Sequence, residues 1–579
     1  MTTTRTYDNL NRLTQISSSN PQSVVLDSHG YAYNSANQRT GVTNADGSFW
    51  VFQYDALGQV TSGLKYWPDS TLVAGQQFGY DFDNIGNRQG TSAGGDQWGG
   101  NLRYANYAAN TLNQYTNRTV PGAIEVIGTA TNTSTVTVNN NPTYRRGSYY
   151  RLALPVANDS APTYTSVTNL AVLNNGTNPD LLTNLTGNVF LPKTPENFTY
   201  DGDGNLSQDG RWQYTWDAEN RLVSLQGLST LPTTAKLKLD FVYDAQGRRV
   251  QKTVSTNNGS IYVAQYTNRF VYDGWNLLAV LNPQSAILQS FIWGLDLSGQ
   301  LQGAGGVGGL LSVRDAASGT RSFFSYDGNG NVSAMVDSAT SAVTGQFEYG
   351  PFGEVIRLSG QAAKGSQFRF STKYQDNETD LLYYGYRYYS AATGRWLSRD
   401  PIVERGGLAL YGFVRNDPTC FHDRLGKLTV DFTGAGSTIA VTIIPTLSVS
   451  DVCHGGPLHF NVSFEASYND QGEHWMDSSG AWFTFDGSRV PIANFQDDPM
   501  RWDVAFSKQL PMCPTGRQSG SVNFDAGDST DGRVLTIIFD WHYRCDCECK
   551  ETDPFKPSYT YFAFPPIKPL PRLPGPILL

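Results

Sequence analysis

The residues best suited to metal or redox chemistry lie near the end of the chain, where His542 is followed by Cys545, Cys547 and Cys549. On an extended strand the three alternating thiols share a face. Thiolates joined by an imidazole make the soft ligand set that zinc prefers. The spacing differs from C-x-x-C knuckles, and Cys-x-Cys pairs also suit disulfides to distant partners, here Cys453 and Cys513, in an oxidising compartment. Spacing leaves zinc, disulfides and free thiols open and favours disulfides. Catalysis by Cys453-His454 is disfavoured, because neighbours on a strand face opposite ways. Asp376, Glu378 and Asp380 could together offer oxygens to a hard cation, but the expectation for them is a solvated loop between strands. Gly303-Ala304-Gly305-Gly306-Val307-Gly308 fits G-x-G-x-x-G, yet no helical periodicity follows it, so it reads as glycines that let backbones approach or turn and not as a dinucleotide site.

The elements that must position these residues are announced by a repeat. An aromatic residue runs into Asp, two variable residues, Gly or Asn, and a polar or basic pair. Seven good copies begin at Tyr7-Asp8, Tyr54-Asp55, Phe82-Asp83, Tyr200-Asp201, Trp216-Asp217, Tyr243-Asp244 and Tyr326-Asp327, with weaker ones at Tyr33, Tyr272 and Tyr349. Asp after a strand can accept hydrogen bonds from backbone N–H groups just ahead, and Gly or Asn three positions on tolerates the left-handed conformation a turn needs. Each unit therefore reads as a β-hairpin with an aromatic on a half-buried face. A lone hairpin is marginal in water, so the units must pair edge to edge in a long antiparallel sheet.

These repeats resemble the YD repeats of the RHS family, shared with the C components of insecticidal toxin complexes and with the teneurins. The resemblance sharpens in Phe347-Glu348-Tyr349-Gly350-Pro351-Phe352-Gly353-Glu354, Tyr383-Tyr384-Gly385-Tyr386-Arg387-Tyr388-Tyr389, Thr393-Gly394-Arg395-Trp396-Leu397-Ser398-Arg399-Asp400-Pro401-Ile402 and Asn416-Asp417-Pro418, which look like the RHS-associated core. It implies an all-β spiral shell of antiparallel hairpins followed by a variable passenger, often a toxin. It also implies two catalytic aspartates. Self-cleaving members carry one in Arg-Asp-Pro-Ile, matched by Arg399-Asp400-Pro401-Ile402, and one in Asp-Pro-x-Gly-Leu, where this chain has Asp423-Arg424-Leu425-Gly426-Lys427. On that pattern the cut falls between Lys427 and Leu428. Two carboxylates that share a proton have split pKa values, so one can serve as base on a water while the other donates to the scissile carbonyl. The competing reading makes Asp400 and Asp423 turn residues of a core that folds uncut.

Composition agrees with a turn-rich sheet protein: Gly 58, Tyr 32 and Trp 12 among 579 residues, with 16% charged. A net charge of -9 gives no bulk reason to expect nucleic acid as a partner, and no apolar run is long enough for a membrane span. Met1-Thr2-Thr3-Thr4-Arg5-Thr6 enters a repeat without a signal peptide, which suggests a fragment of a longer frame or export by another route.

The expected divisions are a shell over 1–119, an inserted small β-sandwich or decorated repeat over 120–197, shell again over 198–344, the core over 345–427, a β-sandwich-like domain over 428–552 and a Pro-rich tail over 553–579. Within the insert, Ala130–Asn139 and Ser166–Leu173 alternate as strands do. Two functional classes follow. In the first, a secreted or cell-surface toxin-like protein has its own C-terminal segment as passenger, with an immunity protein and export machinery as further partners. In the second, a non-enzymatic surface protein binds partners or glycans. No cofactor is expected beyond zinc, and no enzyme motif is readable in the tail.

Overall fold

The repeated turn is a three-residue loop closed by its own aspartate. In the computed structural model, which describes residues 1–402 and 409–427 with their side chains and beyond 427 only the backbone of its strands, Asp8 N–H donates to the Arg12 carbonyl (3.0 Å) and Asn11 N–H to the Asp8 carbonyl (2.9 Å). Asp8 Oδ1 accepts from the N–H groups of Leu10 and Arg12, and Oδ2 from the Arg12 side chain. The same pattern recurs with Gln59 capping Asp55, Asn87 capping Asp83, Asn205 capping Asp201, Arg221 capping Asp217, Arg248 capping Asp244 and Asn331 capping Asp327. Position three after the aspartate has positive φ throughout, as at Asn11 (60°), Gly58 (82°) and Gly247 (79°).

In most hairpins the aromatic before the turn is held by more than its face. Tyr33 Oη donates to the Leu13 carbonyl (2.7 Å), Tyr54 to Arg39, Trp216 Nε1 to Leu206, Tyr243 to Leu222, Tyr272 to Arg249 and Tyr349 to Val332. In each case the acceptor lies five residues after the Asp, Asn or equivalent residue of the preceding turn. The ring thus ties one hairpin to the next, and the selection of Tyr or Trp follows from the need for a donor at its tip.

A register shift immediately precedes the aromatic in hairpin after hairpin, at Thr6/Tyr7, Gln53/Tyr54, Thr215/Trp216, Val242/Tyr243 and Ser325/Tyr326 among others. Bulges bend a strand and raise its twist, so one at the same place in every unit curls the sheet. The result is an eleven-stranded antiparallel sheet running in sequence order from Thr2–Tyr7 to Tyr115–Arg118 and ending on Glu196–Asn197, then a fourteen-stranded one from Thr199–Tyr200 to Val355–Ser359. The curl brings the late strands beside the early ones. Ser325 donates to Asp27 (2.7 Å), Tyr80 to Glu354 (3.1 Å), and Lys65 pairs with Glu348. Leu222, Leu225 and Leu239, each fully buried, pack with Trp212, Tyr214 and Phe241 on one inner face, each leucine contributing roughly 1.5–3 kcal/mol.

The insert comprises a three-stranded sheet (Ala123–Thr129, Tyr149–Pro155, Tyr144–Arg146) and a four-stranded one (Asn141–Pro142, Thr135–Val138, Thr163–Leu173, Leu181–Leu191). Ile124, Val126, Val136, Val138, Tyr150, Leu154 and Val167 form their shared core. The alternating run Ala130–Asn139 is strand only over Thr135–Val138. Ser134 N–H and Oγ both turn back to the Thr131 carbonyl, which closes a tight turn ahead of it.

The chain divides into two compact units, Met1–Gly434 and Ala435–Leu579. In the second, backbone ladders form a three-stranded sheet over Ile439–Thr446, Pro457–Ala466 and Met500–Gln509, and a five-stranded sheet that includes Ala481–Phe485, Gly516–Asp528 and Val534–Cys545. The molecule is all-β. Among the described residues no helix is long and apolar enough to cross a membrane.

Candidate functional site: a buried carboxylate pair in the core

The core is a four-stranded sheet of very short strands, Tyr374–Gln375, Leu382–Tyr383, Tyr388–Ser390 and Arg395–Trp396. Around it Tyr384, Tyr389, Trp396 and Phe413 stack edge to face. It is seated on the repeat turns: Arg395 donates to Asn87 and to the Asn113 carbonyl, Asn416 to Gln59 and the Gly86 carbonyl, and Tyr411 to the Gly204 carbonyl.

Inside this aromatic frame Asp400 and Asp423 converge on one cation. Arg387 Nη2 lies 2.9 Å from Asp400 Oδ2 and 3.6 Å from Asp423 Oδ2, and all three side chains are buried. Arg387 stacks on Trp396, donates through Nη1 to the Leu410 carbonyl and through Nε to the Gly426 carbonyl. Asp400 is oriented by its own turn, with Oδ1 accepting from Ile402 N–H (3.0 Å) across Pro401.

Asp423 begins the connection between Phe421–His422 and its antiparallel partner Asp431–Phe432. Its Oδ1 accepts from Leu425 N–H (3.1 Å) and Gly426 N–H (2.6 Å). Burial pushes the Asp423 pKa up; Arg387, Gly426 N–H and Lys373 oppose this and Asp400 adds to it, leaving a value of about 7. Two further anchors hold the segment. Lys373 Nζ donates to the carbonyls of Arg424 (2.6 Å) and Gly305 (2.9 Å), and Tyr386 N–H to the Leu425 carbonyl (3.0 Å). Burial lowers the Lys373 pKa to about 8. Lys427 lies with its ammonium 3.6 Å from the Tyr386 ring centroid, while Leu428 falls outside the described residues.

The structure brings Asp400 and Asp423 together but sends Arg399 elsewhere, to the Gly204 turn. The guanidinium between the carboxylates is Arg387, which the sequence reading passed over, as it did Lys373. A signal for Arg387 was available: it is the lone charge in Leu381–Tyr389, so burial of that aromatic run obliges it to be paired. Arg424 in place of the family's Pro leaves the Lys373 contact intact, because a backbone carbonyl supplies it.

The acidic group at 376–380 is a loop between two strands, with Asp380 exposed as expected, but Asp376 is buried and Glu378 half-buried. Asp376 is buried against Arg249 (2.6 Å) and Lys252 (2.9 Å), and Glu378 takes a second bond from Lys252. Burial alone would raise the Asp376 pKa, but these two cations hold it below the ordinary value. The glycines at 303–308 form turns with positive φ at Gly305, Gly306 and Gly308, and Asp296 Oδ2 accepts from the N–H groups of Ala304 and Gly306. No group of three or more potential metal ligands occurs among the described residues. The side chains of His542 and Cys545, and all of Cys453, Cys513, Cys547 and Cys549, lie outside them.

A family profile described as Teneurin YD-shell matches residues 163–419, and one described as RHS Repeat matches 33–67. The tRNA3(Ser)-specific nuclease WapA of Bacillus spizizenii is 31% identical over 238 residues, 40% of this chain and 9% of that protein. Toxin subunit YenC1 of Yersinia entomophaga is 25% identical over 422 residues, 68% of this chain and 41% of that one. A solved TcdB2-TccC3-Cdc42 complex aligns at 16% identity and a TM-score of 0.35, over 73% of this chain and 20% of that one. The chain thus spans well under half the length of these curated relatives.

Proposed function

The chain belongs to the RHS/YD-repeat shell family, and from that premise we propose that its shell and core carry residues 428–579 as a passenger and release it by an aspartyl cut between Lys427 and Leu428. The observation that carries this reading is the convergence of Asp400 and Asp423 on Arg387 Nη2, with the segment ending at Lys427 pinned beside them.

The two carboxyls have different environments and hence different roles. Asp423, whose pKa burial raises to about 7, is still protonated in a substantial fraction of molecules at neutral pH, and in that form it donates to the scissile carbonyl oxygen. Asp400, ion-paired to Arg387, takes a proton from water as the water oxygen bonds to the Lys427 carbonyl carbon. The C–N bond to Leu428 then breaks as the proton held by Asp400 passes to the leaving amine and one hydroxyl of the tetrahedral carbon returns its proton to Asp423, re-forming the carbonyl and restoring both carboxyls to their starting states. The fixed Arg387 charge keeps one carboxylate ionised in a buried site, where an unpaired one would be costly.

The names of relatives, a tRNA nuclease and a toxin subunit, support a passenger that acts as a toxin or effector. Export and an immunity partner belong to the same reading. Intact mass spectrometry of the purified chain beside Asp400→Asn and Asp423→Asn variants tests it. Two fragments in the parent and a single uncut mass in either variant are expected. A full-length parent mass would retire the protease and leave a non-cleaving shell with an attached domain.

A further inference from the structure

The insert ends in a strand, Leu181–Leu191, that is the outer edge of its four-stranded sheet. All eleven residues pair on one side with Thr163–Leu173 without a register shift. The other side presents an unpaired row of N–H and C=O groups, and residues 181–189 are exposed. Folded proteins usually blunt such edges with charge, proline, bulges or short length. Other edges here follow that rule: Asn141–Pro142 is two residues long and contains Pro142, Tyr144–Arg146 carries Arg145 and Arg146, and Val355–Ser359 carries Arg357. Leu181–Leu191 has no proline, no charge and no bulge, and it exposes Leu181, Leu182 and Leu185.

We propose that this strand is the pairing surface for a second copy of the chain, joined antiparallel about a two-fold axis through Thr186. A two-fold contact places the same strand on both sides, so the strand must complement itself. About Thr186 it largely does: Leu181 meets Leu191, Leu182 meets Phe190, Thr183 meets Val189, Asn184 meets Asn188 and Thr186 meets itself, while Leu185 meets Gly187, which offers it space but no side chain. The terminal apolar residues and the amides meet their own kind, and threonine pairs well with threonine or a β-branched neighbour across strands.

Other registers fail on the same residues. Centring on Leu185 sets Leu182 against Asn188, and centring on Gly187 sets Asn184 against Phe190. A slip to an odd register opposes an outward-facing residue to an inward-facing one and breaks the ladder. This strand brings no charge of its own to the contact. One strand pair is a small interface, so the dimer is reversible.

A Thr186→Cys full-length chain, treated with diamide, tests the axis, because only a two-fold through residue 186 places that thiol opposite its own copy. Asn184→Cys is the companion, since its thiol faces residue 188. Both are compared with the parent, whose six native cysteines set the background. Expected are a linked dimer from Thr186→Cys well above background, background linking from Asn184→Cys, and a concentration-dependent dimer of the parent in sedimentation. Dimerisation of a doubly substituted Asn184→Lys, Asn188→Lys chain should weaken at least tenfold, with its melting temperature unchanged. A parent that stays monomeric at all concentrations, or equal linking from both cysteine variants, overturns the proposal.

Discussion

The same turn is built twice in this protein for opposite ends. In the repeats, Asp83, Asp217 and Asp244 sit near solvent; the penalty of partial burial is outweighed by hydrogen bonds from backbone N–H groups and from the side chain four residues on, and their pKa values lie below the ordinary one. In the core, His422-Asp423-Arg424-Leu425-Gly426-Lys427 repeats the motif, down to a positive φ of 77° at Gly426. Here the residue four positions on, Lys427, lies against the Tyr386 ring, and Asp423 Oδ2 faces Arg387 inside a buried aromatic frame. One local geometry thus gives a structural carboxylate near the surface and, where the side chain is buried, a carboxyl with a raised pKa. Solvation and the fate of the fifth residue make the difference.

The largest effect should come from removing the cation that makes the core site tolerable. Arg387→Met leaves Asp400 buried without its ion-pair partner and should cost about 3–5 kcal/mol, read by denaturant unfolding of the cleavage-dead Asp423→Asn chain with and without the change. Next, Lys427→Asn supplies the amide that caps Asp83 and Asp201 in the repeats. It should lower the Asp423 pKa and slow cutting about tenfold if the pKa falls by one unit at a pH above it, measured by mass spectrometry during cell-free synthesis.

The two classes of carboxylate should also oppose each other in pH dependence. Asp83, Asp217 and Asp244 have depressed folded pKa values, so their contribution is full above the unfolded value and lost as the pH falls through the folded one. Asp423 has a raised folded pKa: its contribution is full below the unfolded value near 3.8 and is lost as the pH rises to about 7. In a chain made uncut by Asp400→Asn, where loss of the Asp400 charge brings the Asp423 pKa below about 7, adding Asp423→Asn should flatten the fall in stability that begins near pH 4 and ends short of pH 7 and leave the acid limb unchanged, as thermal melts across that range would show. The smallest effect is expected of Tyr243→Phe, which removes the hydroxyl bonded to the Leu222 carbonyl and to Tyr388 and should cost on the order of 1 kcal/mol.

The hairpins were legible because their causes are local. An aspartate that accepts from N–H groups two and four residues ahead, and a Gly or Asn at positive φ, are set within one pentapeptide, so the all-β repeat could be read before any packing was known. The donor role of Tyr33, Tyr243 or Trp216 was not legible, since its acceptor lies in the previous hairpin. Nor was the burial of Asp376, whose partners Arg249 and Lys252 are over a hundred residues away.

The candidate site divides in the same way. Family resemblance supplied Asp400 and Asp423, while Arg387 and Lys373 came only from the folded core. Residue types and short spacings determine where this chain turns and where its strands lie, because backbone conformation answers to neighbours a few residues away. Which aspartates keep their water, which arginine stands between two carboxylates and which edge stays open were decided by tertiary structure. Dielectric surroundings and strand neighbours depend on segments that meet only once the sheet has curled.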